Sequence, residues 1–327
     1  MDLGLGGKVA VVTGGSVGIG LGVARAFARE GAHVMVAARG GERAEAEAAA
    51  IAGEFGVEAR AHACDVATVE GCASLAAAVE GAFGGCDVLV NNAGTGSNET
   101  ILEAPDDKWQ AYWDLHVMAA VRLARALAPG MAARGGGAIL NNASICAVQP
   151  LWYEPIYNVT KAALLMLGKC MATEFIPMSI RVNTVNPGLI LTPDWVKTAK
   201  QLSEPTGGDW QGYLQGVADE HAPIKRFGTV EELADFMVFL CSPRASRGRP
   251  TRARCCGRAS SMWGWATSTA RTCRCTSTGC STGGATTPSP CAARACVPPT
   301  PPCAIGSWRR TAFPRSWSST RRASTRA

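Results

Sequence analysis

Short apolar runs alternate with amphipathic segments between residues 8 and 188, and this alternation limits the possible folds more than any other feature. The first run is rich in β-branched residues and ends in glycines, which is typical of a buried strand. The segment after it places Ile19, Val23 and Phe27 on one face of a helix. Repeated along the chain, the pattern predicts strands at Lys8–Thr13, Ala32–Ala38, Glu58–Val66, Cys86–Asn92, Gly137–Ser144 and Ser179–Gly188, and helices at Gly18–Glu30, Ala44–Phe55, Thr68–Phe83, Asp106–Arg134 and Pro155–Phe175.

Strands separated by helices of this length pair in parallel, because each helix carries the chain back to the edge where the previous strand began. Such crossovers are right-handed, which leaves a doubly wound sheet as the economical topology. The sequence therefore predicts an α/β fold: a Rossmann-like, doubly wound parallel sheet with helices on both faces. Ligands of such sheets bind beyond the carboxyl ends of the strands, where the motifs described below also fall.

Charge and composition change abruptly after residue 246. Residues 1–246 carry 18 Lys and Arg against 26 Asp and Glu, a net charge of −8, whereas residues 247–327 carry 14 Arg and no other charged residue. We therefore predict one folded domain at 1–246 and an irregular or disordered tail at 247–327.

The tail has the composition of a gene read out of frame. It contains no Leu, and it lacks all seven residue types encoded with adenine at the middle codon position: Asp, Glu, Lys, Asn, Gln, His and Tyr. We interpret it as a frameshift product. The alternatives are a nucleic-acid-binding arginine tail and a zinc site, but its arginines form no recognisable module and its eight cysteines lack C-x-x-C spacing.

The remaining features of the sequence bear on the cellular compartment of the protein. The longest apolar stretches are too short, or too interrupted by charge, to span a bilayer. The N-terminus has no basic region followed by an apolar signal core. The six cysteines of residues 1–246 have no metal-ligand spacing and resemble reduced thiols. These features predict a cytoplasmic protein with no metal site and no membrane partner.

A glycine-rich turn, TGGSVGIG, follows the first strand and opens the first helix. Glycines allow a sharp turn and a close approach to a pyrophosphate, whose negative charge a helix N-terminus favours. The alternative is a plain tight turn, but the preceding strand and following helix favour a dinucleotide site.

Tyr157 and Lys161 lie four residues apart in the predicted helix Pro155–Phe175, and therefore on one face. An ammonium near a phenol favours the phenolate and is expected to lower the tyrosine pKa from its usual value of about 10. A tyrosine of this kind serves as an acid and base near neutral pH. Taken alone, the pair is more often an ordinary helix face.

The spacing T-G-x-x-x-G-x-G, the segment NNAG at Asn91–Gly94, Ser144 and the Tyr157/Lys161 pair occur in the order of the short-chain dehydrogenase/reductase family. Residues 5–246 resemble that family. The resemblance implies that Tyr157 exchanges a proton with the substrate oxygen, that Ser144 hydrogen-bonds this oxygen and that Lys161 also binds the nicotinamide ribose. The cofactor-binding positions that it implies are Gly14, Ser16, Gly18, Ile19, Gly20, Arg39, Asp65, Val66, Asn92, Ala93, Gly94, Tyr157, Lys161, Pro187, Gly188, Ile190 and Thr192.

The residues after the second strand bear on the choice of cofactor. A carboxylate there would bind the ribose of NAD, but the chain has Ala38 followed by Arg39. A guanidinium pairs well with a 2′-phosphate, so the sequence favours NADP over NAD. The alternative is that Arg39 is a solvated surface charge, and Val17 counts slightly against NADP because many NADP-preferring relatives are basic there.

The family usually carries an asparagine midway along the helix after NNAG, where this chain has His116. A neutral imidazole can both donate and accept a hydrogen bond, so His116 can maintain a proton relay to Lys161. Equally, it can be a satisfied core histidine in a weakened relay. Both interpretations stay open at this point.

Aromatic residues surround the expected substrate side: Trp152, Tyr153, Trp195, Trp210 and Tyr213. The segment Pro193–Phe227 resembles the mobile substrate lid of the family, so these side chains either contact a bulky apolar alcohol or ketone or pack the lid helices. The resemblance implies an oxidoreductase that interconverts a carbonyl and a secondary alcohol, with 3-oxoacyl reduction as one possibility. The alternative is a dinucleotide-binding protein with impaired catalysis.

Impaired catalysis would follow from His116 or from a missing strand. The segment Ala222–Pro243 resembles the family's helix before its last strand, but no such strand is visible after Ser246. We therefore expect the sheet to lack its usual last strand. Relatives use that edge in forming a dimer, so a homo-oligomer is expected if something replaces the strand.

Overall fold

A computed structural model describes residues 2–96, 98–151, 153–204, 207–246 and 266–268. Its strands are β1 (Val9–Thr13), β2 (His33–Ala38), β3 (Ala59–Ala63), β4 (Val88–Asn91), β5 (Gly137–Asn142), β6 (Ile180–Val185) and β7 (Ala266–Ser268). Its helices are α1 (Gly18–Arg29), α2 (Gly41–Phe55), α3 (Val69–Phe83), α4 (Asp106–Trp113), α5 (Ala119–Ala133), α6 (Pro155–Glu174), α7 (Pro193–Ser203), α8 (Trp210–His221) and α9 (Val230–Cys241).

The sheet has the strand order β3-β2-β1-β4-β5-β6-β7, and its first six strands pair in parallel. The chain winds outward from β1 in one direction and then, from β4 onward, in the other. The crevice between the carboxyl ends of β1 and β4 is therefore the topological switch point, where open α/β sheets bind their ligands. The predicted Rossmann-like, doubly wound sheet is confirmed.

Alternation along the strands divides the core between the two faces of the sheet. Val11 and Leu89 pack on one face with residues of α3, α5 and α6, whereas Val12 and Val90 pack on the other face with α1, α2 and α9. Successive strand residues point to opposite faces, so a strand buried on both sides reads as an unbroken apolar run. This is the signal that located β1 and β4 in the sequence.

The long helix predicted at Asp106–Arg134 is interrupted. Helix α4 ends at Trp113, a single π-helical turn occupies Asp114–Met118, and α5 starts at Ala119. The Ala119 N–H accordingly bonds to the Asp114 carbonyl, five residues back instead of four. Such a turn holds one extra residue and changes the direction of the side chains within it, among them His116.

The far edge of the sheet departs from a purely parallel arrangement. On the side of β6 away from β5, the only neighbour in the described part of the chain is the three-residue strand β7, which pairs with β6 antiparallel. The sequence analysis expected the usual last strand to be missing and did not predict β7. The remaining residues of 247–327 lie outside the described ones, so the irregular tail stays a prediction.

Candidate active site

The β1–α1 turn brings backbone unusually close to backbone. Gly14 and Gly18 have positive φ angles of 64° and 57°. A Cβ on Gly20 would lie 2.1 Å from the Gly14 oxygen, and one on Gly14 would lie 3.0 Å from the Ala93 Cα. A side chain is thus excluded at Gly14 and Gly20 by close contacts, and is disfavoured at Gly14 and Gly18 by the backbone conformation.

The N-terminus of α1 has no side-chain cap, since the apolar side chain of the N-cap residue Val17 cannot accept a hydrogen bond. Its first N–H groups therefore have no intrahelical or capping partner. A glycine cradle ending in such a helix terminus fits the pyrophosphate of a dinucleotide. Ser16 is buried beside the cradle, and Ile19 packs partly against the core.

The ends of β2 and β3 present their predicted residues at the same edge of the sheet. Arg39 directly follows β2, is exposed, and forms no ion pair with any described residue. Asp65 lies in the turn after β3, where its Oδ1 accepts a hydrogen bond from the Ala67 N–H at 3.0 Å, and Val66 is buried.

A hydrogen-bond network joins the ends of three strands at the switch point. The Thr13 hydroxyl accepts from the N–H groups of Asn92 (2.9 Å) and Ala93 (3.0 Å) and donates to the Val90 carbonyl at 3.2 Å. The Asn92 amide donates to the Thr13 carbonyl at 2.9 Å and accepts from the Asn142 amide at 2.8 Å. Sequence reasoning singled out Asn92 and Ala93 but missed Thr13 and Asn142.

Ser144, Tyr157 and Lys161 converge beside this network. Ser144 follows β5 and is buried, and its hydroxyl hydrogen-bonds the Tyr157 phenol. The Lys161 ammonium is 3% exposed, donates to the Asn142 carbonyl at 2.9 Å and lies over the Tyr157 ring, 5.4 Å from its centroid. The structure therefore brings together the three residues that the sequence placed in one reaction site.

The expected lowering of the Tyr157 pKa is wrong for this structure. Burial raises the pKa of Tyr157 to about 12, and the hydrogen bond from Ser144 offsets this only in part. Burial also lowers the pKa of Lys161 to about 8. The sequence argument considered only the attraction between ammonium and phenolate. Here the ammonium donates to a backbone carbonyl, so the loss of solvation on burial decides the direction.

His116 faces the same cluster from the π-helical turn. The side chain is 2% exposed, its ring meets the Tyr157 ring edge-on with centroids 5.6 Å apart, and Nδ1 lies 2.8 Å from the Thr160 hydroxyl. Nε2 accepts a hydrogen bond from the Thr95 N–H at 3.3 Å. Burial, with the Lys161 charge, lowers the pKa of His116 to about 2, so the imidazole is neutral throughout the physiological range.

Gly94 leaves room where His116 and Lys161 meet. A Cβ at this position would lie 3.1 Å from His116 Nε2 and 3.4 Å from Lys161 Nζ. The absence of a side chain keeps the space between these two nitrogens and the loop after β4 open. The need for this space explains why the last residue of NNAG is a glycine, which the motif alone did not explain.

The loop after β6 closes the site from the other side. The Pro187 carbonyl accepts a hydrogen bond from the Ile145 N–H at 2.8 Å, next to Ser144. Gly188 has open space at its Cβ position. Thr192 caps α7, and a Cβ on Gly18 would lie 3.8 Å from its methyl group. The β1–α1 turn and this loop thus face each other across a narrow gap, with Ile190 partly packed on the core.

The lid aromatics mostly pack against their own segment. Trp195 meets Phe227 edge-on with ring centroids 5.2 Å apart, and the Lys200 ammonium lies over the Trp210 ring at 5.4 Å. These contacts favour the packing interpretation for both tryptophans. Trp152 lies outside the described residues.

Sequence reasoning missed a carboxyl beside the site. Burial, with the nearby Glu99 carboxylate, raises the pKa of Glu154 to about 7. Its charge also raises the pKa values of Tyr157 and Cys146. An acid three residues before the tyrosine was the available signal.

The residues that the structure describes contain neither a group of three or more His, Cys, Asp or Glu placed to hold a metal ion nor a helix long and apolar enough to span a membrane.

Comparison with known proteins adds independent evidence. Residues 14–248 match the family profile described as enoyl-(acyl carrier protein) reductase. Dehydrogenase/reductase SDR family member 4 of Sus scrofa is 36% identical over 244 residues, covering 73% of this chain and 82% of that protein. This chain belongs to the short-chain dehydrogenase/reductase family.

Two further short-chain dehydrogenase/reductases are informative. The crystal structure of L-sorbose reductase from Gluconobacter frateurii, complexed with NADPH and L-sorbose, is 66% identical in sequence with a TM-score of 0.75, covering 76% of this chain and 94% of that chain. D-threitol dehydrogenase of Mycolicibacterium smegmatis is 33% identical over 245 residues, covering 75% of this chain and 90% of that protein. The predicted family and the general activity, an NAD(P)-dependent oxidoreductase, are confirmed.

Proposed function

We propose that this protein is an NADP(H)-dependent reductase that interconverts a small polyhydroxylated ketone and the corresponding secondary alcohol. The observation that carries the proposal is the convergence of Ser144, Tyr157, Lys161 and His116 around the open space at Gly94. Its support comes from the L-sorbose reductase at 66% identity, whose structure holds NADPH and L-sorbose.

When bound, the nicotinamide supplies a hydride to the substrate carbonyl carbon. Tyr157 donates its proton to the carbonyl oxygen, and Ser144 holds that oxygen by a hydrogen bond. Because burial raises the pKa of Tyr157 to about 12, the phenol keeps its proton at neutral pH and can act as the acid in the reductive direction. The Lys161 ammonium stabilises the charge left on the phenol and returns its proton, and the neutral His116 borders the same space as a hydrogen-bond acceptor.

The cofactor is held by this chain's backbone cradle and by a few side chains. Arg39 would pair with the 2′-phosphate, since its guanidinium is exposed and forms no ion pair among the described residues. Lys161 would meet the nicotinamide ribose. The other proposed contacts are Gly14, Ser16, Gly18, Ile19, Gly20, Asp65, Val66, Asn92, Ala93, Gly94, Tyr157, Pro187, Gly188, Ile190 and Thr192.

The polar character of the site favours a hydroxylated substrate over an acyl chain. Glu154 places a carboxyl near Tyr157, and such a group accepts hydrogen bonds from substrate hydroxyls. Relatives named for L-sorbose and D-threitol act on molecules of this kind. A 3-oxoacyl substrate, the other possibility drawn from the sequence, would leave this carboxyl without a partner.

The test follows NADPH oxidation by the full chain with L-sorbose, other ketoses and a 3-oxoacyl thioester, and repeats the active pairs with NADH. We expect a ketose to be reduced with NADPH at least tenfold better, in kcat/KM, than the thioester. Binding of NADPH without turnover of any ketone would instead support the alternative of a cofactor-binding protein with impaired catalysis.

The Arg39→Ala variant tests whether Arg39 determines the preference for NADPH over NADH. We expect it to lower kcat/KM for NADPH about tenfold or more, the effect of losing one charge-assisted contact, and to change the value for NADH little. Arg60→Ala is the control, because Arg60 is also exposed and, among the residues that the structure describes, forms an ion pair only with Glu58. A wild-type preference for NADH, or equal effects of the two variants, would contradict the assignment of Arg39.

A further inference from the structure

Thr160 lies on α6 between the two reactive side chains of that helix, three residues after Tyr157 and immediately before Lys161. It is fully buried. Its Oγ1 is 2.8 Å from the Ile156 carbonyl, 3.2 Å from the Tyr157 carbonyl and 2.8 Å from His116 Nδ1. Sequence reasoning assigned no role to this residue.

The hydrogen bonds of Thr160 determine which ring nitrogen of His116 carries the proton. A carbonyl oxygen only accepts, so the single hydroxyl proton of Thr160 points to the carbonyls of its own helix. The hydroxyl oxygen must then accept from His116. Nδ1 therefore carries the hydrogen, and Nε2 of the neutral ring does not.

The contacts of the other ring nitrogen independently indicate the same tautomer. His116 Nε2 lies 3.3 Å from the backbone nitrogen of Thr95, whose N–H can only donate. The same nitrogen borders the space at Gly94, within 3.1 Å of the Cβ position there, and Lys161 Nζ lies within 3.4 Å of that position. A bare Nε2 presents a lone pair toward the ammonium, whereas a protonated Nε2 would oppose one donor to another.

We propose that Thr160 is a positioning residue that fixes His116 in the Nδ1-protonated tautomer, so that Nε2 is a hydrogen-bond acceptor on the side of Lys161. The inference rests on the proposed function only for its catalytic consequence. The tautomer itself is a property of the protein without substrate. In this arrangement Tyr157, Thr160 and Lys161 act as one unit of α6, with His116 held against it from the π-helical turn.

The direct test is nitrogen NMR of the full chain carrying ¹⁵N-labelled histidine. The sequence has only four histidines, and His116→Asn identifies the signal of interest. We expect a protonated Nδ1 and a bare Nε2 for His116 in the wild type and in Thr160→Ser, which keeps the hydroxyl. In Thr160→Val, which has the same shape without it, we expect a mixture of tautomers. A wild-type His116 protonated at Nε2 would overturn the proposal without any variant being needed.

Kinetics then separates positioning from simple packing. We expect Thr160→Val to lower kcat about tenfold with KM for NADPH nearly unchanged, and Thr160→Ser to restore the rate within twofold. The matched control is Thr173→Val, since Thr173 is exposed on α6 and its hydroxyl likewise donates to the carbonyl four residues back. A slow Thr160→Val with an unchanged tautomer, or an equally slow Thr173→Val, would contradict positioning. If His116→Ala turns over normally while the tautomer is as expected, the catalytic role of His116 fails and the tautomer assignment stands.

Discussion

Burial of the Lys161 charge opposes folding, although the proposed reaction needs this charge. The residue is 3% exposed, and its ammonium forms no ion pair with any described residue; it donates a hydrogen bond to the Asn142 carbonyl. Burial of a charge without an anion opposes folding, and this lowers the pKa of Lys161 to about 8. A side chain kept under such conditions serves something other than stability.

We therefore expect Lys161→Met to raise the free energy of unfolding at pH 7 by at least about 1 kcal/mol while abolishing turnover. The folded pKa of about 8 lies below the unfolded value of about 10.4, so the unfolded chain binds more protons between these pH values and wild-type stability rises with pH across them. The advantage of the variant should accordingly be largest below pH 8 and shrink by pH 10.

Urea unfolding at pH 7 and pH 10 measures both effects. Lys169→Met is the control, since Lys169 is exposed on the same helix and its replacement should change stability by less than about 0.5 kcal/mol. A Lys161→Met protein less stable than the wild type at pH 7 would show that the carbonyl bond outweighs the burial of charge.

The sequence placed single residues well where spacing alone fixes their position. Ser144, Tyr157 and Lys161 follow from strand ends and from the helical period, and these need no tertiary information. The direction of the Tyr157 pKa and the role of Thr160 did not follow, because both depend on burial and on which carbonyl a proton meets. Neither quantity is encoded within a few residues of the group concerned.

Asp87 lies just before β4 and connects this strand with two other elements, β1 and α5. Its carboxylate accepts from the Val9 N–H at 2.9 Å, from Lys8 at 3.0 Å and from Arg134 at 2.9 Å. Burial alone would raise the pKa of Asp87, but these hydrogen bonds outweigh it and the pKa lies below its usual value. One side chain thus fixes the start of β1 and the end of α5 against β4.

We expect Asp87→Asn to lower the free energy of unfolding at pH 7 by about 1–3 kcal/mol. Because the folded pKa is depressed, the contribution of Asp87 is fully present above the unfolded value of about 3.9 and is lost as pH falls through the folded value. The difference between variant and wild type should therefore narrow below about pH 4.

Thermal or urea unfolding between pH 3 and pH 7 tests this. Asp235→Asn provides the comparison, since Asp235 forms an ion pair with Arg29 in which both side chains are largely exposed. Such pairs contribute little. Equal losses in the two variants would mean that the Asp87 network adds nothing beyond a surface contact.

Most elements were predictable because their signals are local. The apolar runs gave β1, β4 and β5, and the prediction of a strand from Glu58 to Val66 contains the shorter β3. The π-helical turn inside the predicted helix Asp106–Arg134 was not predictable, since the apolar period continues through it. The turn carries His116, whose hydrogen-bond partner Thr160 lies on a neighbouring helix, and no local pattern encodes that contact.

For the whole molecule, the boundary near residue 246 is the main open point. The family match ends at residue 248, close to the predicted boundary, and the described sheet has six parallel strands with only β7 beyond them. The strand β7 was missed because its three residues, Ala266–Ser268, lie in a stretch with no apolar period. The homo-oligomer stays a prediction that depends on what borders this edge.

The frameshift interpretation predicts a specific result at the level of the gene. Sequencing independent clones across codon 246 should reveal a base inserted or lost, after which the corrected frame encodes a strand containing Thr-Gly. An unchanged frame in every clone would contradict it and return attention to an arginine-rich tail with 14 positive charges. Salt-dependent retention of the full chain on DNA would then be the appropriate measurement.

The wide turn at Asp114–Met118 makes the length of this segment matter as much as its composition. Loss of one of its five residues would remove the extra residue and let α4 and α5 merge into a continuous α-helix, with both halves keeping the orientation they have now. Tyr112, which lies in α4, would keep its hydrogen bond to the Gly96 carbonyl, but the side chains within the turn would change direction and the imidazole of His116 would leave the pocket wall. A one-residue deletion here would therefore disable the site although every motif residue outside the turn remained in place.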